Sequence, residues 1–163
     1  MAGATKAVQA KENKVEFGLR NCYYAVVTVD ESGKITYGAP KKLPGAVSIT
    51  FDKSGDLIRF KADDIDYYTN PNNQGYEGTL TLARVPEDFR TEVLKEKKTE
   101  KGVLIENSDA QTANIALMFE FQGDVKATRH LLYYCSVNRP SVGSATKDSG
   151  DPNTTELAMV ASP

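Results

Sequence analysis

The chain has no tryptophan, a single histidine and only two cysteines in 163 residues. With His130 the one imidazole, every Ser-His or Cys-His mechanism has to run through a residue at the start of an apolar run. A zinc site would need that same histidine, the cysteines and a carboxylate at no recognisable spacing. Cys22 and Cys135 lie far apart inside apolar runs and read as small core residues of a reducing compartment. An excess of charge is lacking too: 20 Lys and Arg stand against 22 Asp and Glu, for a net charge of −2. A protein that grips nucleic acid by its phosphates needs a basic face, and this balance points to none. No apolar run approaches the ~18 residues of a membrane span. The opening MAGATKAVQAKENK offers no apolar core for a signal peptide. The reading is a soluble chain made in the cytoplasm, without a membrane partner. GxxxxGK[ST], GxGxxG, GxSxG and HExxH are all missing, and with them the phosphate-cradling, nucleophile-elbow and zinc-protease arrangements they signal.

What is present is alternation. Val, Ile, Leu and Phe make up 36 residues, enough for one folded domain spanning 1–163. Val47, Ile49 and Phe51 alternate with Ser48 and Thr50, and Ile115, Leu117, Phe119 and Phe121 alternate with Ala116, Met118, Glu120 and Gln122. Period two is the mark of a half-buried strand. From Leu131 to Val137, one face is expected to collect Leu131, Tyr133, Cys135 and Val137. Leu132 and Tyr134 keep the other face partly apolar, which suits a central strand or one that carries an interface. Cys22 to Val29 reads as a further central strand, and Thr154 to Val160 as a last one. Asp30 to Lys34 and Asp52 to Asp56 both read as hairpin loops with a positive-φ glycine. The second faintly resembles a calcium loop, but the later ligands and the sixth-position glycine are missing. Asn70 to Gly75 reads as a longer polar loop.

One helix is expected over about 86–96. Pro86 suits its first turn, Glu87 and Asp88 its positive end, and Phe89, Val93 and Leu94 its buried stripe, with Gly102 as the stop. Residues 1–14 and 141–153 read as a flexible arm and loop. The fold class is mainly β: a two-sheet antiparallel sandwich or barrel with one flanking helix and extended loops.

Chemistry is scarce. Asp63, Asp64 and Asp66 could serve a hydrolase or a metal, yet alternation would send neighbours to opposite faces, and a solvated acidic edge accounts for them as well. His130 reads as an inter-strand hydrogen-bonding residue. The segment Leu57 to Tyr68 is the anomaly. It mixes Arg59, Lys61, Asp63, Asp64 and Asp66 with Leu57, Phe60, Ile65, Tyr67 and Tyr68. Residues 52–75 are expected to form a projecting loop or hairpin; its aromatics read equally as a surface for a neighbouring subunit, since tyrosine suits a face apolar on one side and wet on the other, and as a plain pair of amphipathic strands. No cofactor is implied.

Several blocks then carry a resemblance: KVEFGLRNCYYAVVT, YGAPKKLPGAVSITFD, ADDIDYYTNPNNQGYEGTLTLARVPEDFR, FEFQGDVKATRHLLYYCSVNRPS and the closing TTELAMVASP. In order and spacing the chain resembles the phi13-type major tail proteins of long-tailed bacteriophages over roughly residues 14–160. That resemblance implies a tail-tube fold and a non-enzymatic subunit of the virion, assembled in the host cytoplasm. It implies homo-hexameric rings stacked into a tube through which DNA passes without specific binding. Tape measure, tail-tip and tail-terminator proteins are the further partners it implies. A small-ligand or carbohydrate-binding sandwich, using the tyrosines as a platform, is the alternative function. A hydrolase built on the aspartates is a third.

Overall fold

Turn residues cut the alternating runs into short antiparallel strands. The computed structural model describes residues 17–144 and 152–163. Its strands are β1 (Phe17–Val29), β2 (Ile35–Tyr37), β3 (Lys41–Lys42), β4 (Ala46–Lys53), β5 (Leu57–Ala62), β6 (Ile65–Pro71) and β7 (Tyr76–Leu82). After the helix α1 (Glu87–Glu92) follow β8 (Lys97–Lys98), β9 (Leu104–Ile105), β10 (Asn114–Gln122), β11 (Arg129–Val137) and β12 (Thr155–Ala161). The expected arm 1–14 lies outside the described residues, as do residues 145–151 of the expected loop.

One antiparallel sheet holds most of the strands, in the order β2-β1-β10-β11-β12-β7-β4, with β3 added to the far edge of β1. The two sheets anticipated from sequence are thus halves of one sheet. Their join is narrow: β11 and β12 pair only over Cys135–Val137 and Met159–Ala161. The sheet bends there until β1 and β4, which share no ladder, come into contact. Between the halves lies the core, with Tyr24, Leu80, Leu82, Ile115, Leu117 and Leu157 all but fully buried. Helix α1 is held by Phe89, which is fully buried and meets the Tyr24 ring edge-on with centroids 5.0 Å apart.

The helix is shorter than expected and ends for a different reason. Lys95 takes a left-handed conformation (φ +60°), and the Glu96 N–H bonds back to the Arg90 carbonyl, a Schellman-type stop. Val93 and Leu94 still bury their side chains. Gly102 instead serves the tight turn between β8 and β9, donating to the Thr99 carbonyl.

Bulges reassign several side chains. Between Leu132 and Cys135 the register on β10 slips, Leu117 facing Leu132 and Ile115 facing Cys135. Leu132 and Cys135 therefore both face the core, while Leu131 and Tyr133 are exposed on the outside; the single face expected for Leu131, Tyr133, Cys135 and Val137 is split. A second slip at Val47 gives the inward position to Ala46 and leaves Val47 exposed. His130 packs rather than bonds: its ring stacks on Phe119 at 5.2 Å and leans on Phe121 at 4.9 Å.

The Asp30 loop is a hairpin turn, its Asp30 carboxylate accepting from the Ser32 and Lys34 N–H groups at 2.9 Å each. The Asp52–Asp56 stretch is not. The chain passes straight through it, because Ser54 and Asp56 find backbone partners across the way in Gly75, Gln74 and Asn72. Residues 46–82 consequently form one long hairpin, rooted in the sheet through β4 and β7 and continued outward as β5 and β6. Pro71 belongs to β6, so the polar loop expected from Asn70 narrows to residues 72–75. Gly55 (φ +113°) makes the passage possible: a Cβ there would lie 2.0 Å from the Asn72 carbonyl oxygen.

Candidate functional site

The outer half of that hairpin is a ribbon, β5 with β6, which pairs with no other strand among the described residues. Its turn is Asp63-Asp64, both at positive φ (+51° and +58°), the geometry of a two-residue type I′ turn. Aspartate tolerates that region better than most residues. Two of the three aspartates are thus turn residues at the tip, and the third, Asp66, lies 3.9 Å from Arg59 in an exposed ion pair.

Register sorts the rest. Cross-strand partners share a face, and the pairs are Ile58 with Asn70, Phe60 with Tyr68, Lys61 with Asp66 and Ala62 with Ile65. The slip between Phe60 and Lys61 leaves Tyr67 as an extra, unpaired residue. One face therefore gathers Ile58, Phe60, Ile65 and Tyr68; the other carries Arg59, Lys61 and Asp66. The apolar face is uncovered, with Phe60 61%, Ile65 62% and Tyr68 57% exposed, and Tyr67 is 70% exposed at the bulge. Leu57, the remaining residue of the expected set, is half exposed at the root on the charged side.

A second apolar surface lies elsewhere. On the outside of β1, β10 and β11, opposite the core, Ala25 faces Ala116, Tyr23 faces Met118, and Met118 faces Leu131. Ala25, Val27 and Ala116 form a small buried cluster with Met118 and Tyr134 against it. The Tyr134 hydroxyl is fixed by the Asn114 amide at 2.6 Å. Tyr37 and Tyr133 lie beside the alanines with their rings in edge-to-face contact at 6.4 Å, and Tyr133 is 64% exposed. Together with Pro40 they bound a trough of apolar side chains. Through Pro40, Met118 and Leu131 it runs on to a polar end at Asn21, Glu120 and Arg129.

That polar end has a defined charge arrangement. Glu120 is nearly buried and accepts from the Asn21 amide at 2.8 Å and from Arg129 at 3.2 Å, with Arg20 at 3.6 Å. The Asn21 hydrogen bond, followed by the two guanidiniums, holds its carboxyl below the usual glutamate range. Two cations share one carboxylate, so one positive charge is left over. Sequence reasoning missed this trough. Its signal was the partly apolar second face of β11, but the bulge that aims Tyr133 outward leaves no trace in the alternation.

The two cysteines are reduced and buried, and burial pushes both thiols up to about 11. Among the described residues, no three His, Cys, Asp or Glu side chains are grouped as a metal site, and no helix is long and apolar enough to cross a membrane. What the described residues do offer is two exposed apolar surfaces, the ribbon face and the trough.

Comparison with curated proteins finds no match. The family model described as "Phage tail tube protein" matches residues 7–162, nearly the full length, and the chain belongs to that family of structural phage tail proteins.

Proposed function

We propose that this chain, acting as a single domain, is the major tail tube subunit of a long-tailed phage, non-enzymatic, and polymerises into stacked hexameric rings around a channel for DNA. Assembly in the host cytoplasm, with tape measure, tail-tip and tail-terminator proteins as partners, belongs to the same reading. The observation that carries it is the uncovered apolar face of the β5–β6 ribbon. An isolated two-stranded ribbon is marginal in water and needs something to cover its apolar side. Here that side consists of Ile58, Phe60, Ile65 and Tyr68, with Tyr67 exposed at the bulge beside them. Each such side chain, once covered, contributes about 1.5–3 kcal/mol. Exposed ion pairs such as Arg59–Asp66 contribute about 0–1 kcal/mol. The aromatics therefore supply affinity between subunits, and the charged face of Arg59, Lys61 and Asp66, with the Asp63-Asp64 tip, sets register.

The test replaces residues 57–68 with a short Gly/Ser linker and compares folding with assembly. A folded monomer that no longer polymerises is expected. Normal tubes from the variant would defeat the ribbon as a joint, and an unfolded variant would make the segment part of the core.

A further inference from the structure

A ribbon that joins subunits must rest on something, and that surface can be named. We propose that the apolar face of the β5–β6 ribbon lies in the outer trough of β1, β10 and β11 on the next copy, with its Asp63-Asp64 tip against Arg20 and Arg129. The proposal rests on the reading of the chain as a self-assembling tube subunit.

Three features match. The first is apolarity: the trough is lined by Pro40, Met118, Leu131 and the rings of Tyr37 and Tyr133, and the ribbon presents large apolar side chains. The second is the order of chemistry along each surface. The ribbon runs from apolar body to a tip carrying two negative charges, and the trough runs from an apolar length to an end where two arginines share one glutamate. The third is length. From Ile58 to Ala62, and from Ala116 to Glu120, the two surfaces each extend roughly 13 Å at about 3.3 Å per residue.

The ribbon and the trough are different patches, so the contact is head-to-tail. Such contacts repeat from copy to copy and either close into rings or continue as filaments. A tube needs that kind of joint. A two-fold contact between identical patches would stop at a dimer.

The test uses two full-length surface variants, Phe60→Asp on the ribbon and Leu131→Asp in the trough, with Lys101→Asp in the exposed β8–β9 turn as control. Near-ultraviolet circular dichroism and thermal melting first confirm that each is folded. Each of the two is expected to remain monomeric where wild type and Lys101→Asp assemble. Mixed in equal amounts, they are expected to give a 1:1 dimer, since the intact ribbon of Leu131→Asp meets the intact trough of Phe60→Asp. In parallel, Tyr68→Cys with Tyr133→Cys in otherwise wild-type protein is treated with a short bismaleimide after assembly. A ladder of cross-linked multimers is expected from the double variant and none from either single one. The native thiols stay silent, because buried cysteines with raised pKa react slowly.

Monomers in the mixture, normal assembly by either aspartate variant, or no ladder from assembled tubes would overturn the proposal while leaving the tube reading intact. Wild-type protein that forms no tubes in solution and none in virions would overturn the tube reading, and this inference with it.

Discussion

Asp63 and Asp64 show how far single residues could be read. Adjacent carboxylates suggest hydrolytic or metal chemistry, but these two occupy the positive-φ positions of a tight turn. The legible part was their placement between two alternating runs. Asp-Asp is a weaker turn signal than Asp-Gly, so within the expected 52–75 projection the tip itself carries no mark in the sequence, while the glycine-bearing Asp52–Asp56 stretch does. Glu120 was legible only as the outward partner of an alternating strand; that two arginines converge on it depends on pairing across three strands. Its lowered pKa gives a prediction with a definite sign. A carboxylate held below its unfolded value contributes stability above that value, 4.5 for glutamate, and loses it as pH falls through the folded one. Glu120→Gln is expected to melt at lower temperature than wild type at pH 7. The gap should close below pH 4.5 as the wild-type carboxyl protonates, and thermal melts across pH 3–7 read it.

Among the elements, α1 and the long hairpin carry the most weight. Phe89, Val93 and Leu94 were readable as a buried stripe, and all three are buried. The helix end was not, since a lysine in the left-handed region leaves no composition signal. Phe89 fills the space between α1 and Tyr24, so Phe89→Ala is expected to cost about 3–5 kcal/mol, measured by denaturant unfolding. A mutation at the root of the ribbon tests something different. Gly55→Ala places a methyl group against the Asn72 carbonyl at a φ that alanine resists, so the ribbon must leave the sheet at another angle. The expected outcome is a folded protein with impaired polymerisation, read by sedimentation against wild type. Period two marked β4, β10 and β11, whereas β3, β8 and β9, two residues each, are too short to carry such a signal. Strand faces could not be read, because the slips at Val47, at Tyr67 and between Leu132 and Cys135 each insert one residue that a strict alternation cannot show.

At the scale of the whole molecule, the β class and the flanking helix could be read from sequence, and the anomaly at Leu57–Tyr68 marked the ribbon. The continuity of the sheet could not be read, because a three-residue ladder between β11 and β12 decides it. The proposed tube function carries an electrostatic demand: if DNA slides through a channel without adhering, the lumen wall should carry more carboxylates than Lys and Arg. Six subunits of net charge −2 would give −12 per ring, and an assembled-tube map in which basic residues dominate the lumen would refute that distribution. Everything at this scale depends on self-assembly into a tube. Electron microscopy of the purified protein at rising concentration, alongside tails from virions, tests it most directly. Dispersed monomers are expected when dilute and hollow tubes of stacked six-subunit rings when concentrated; monomers at every concentration, with no rings of this subunit in the virion tail, would contradict self-assembly.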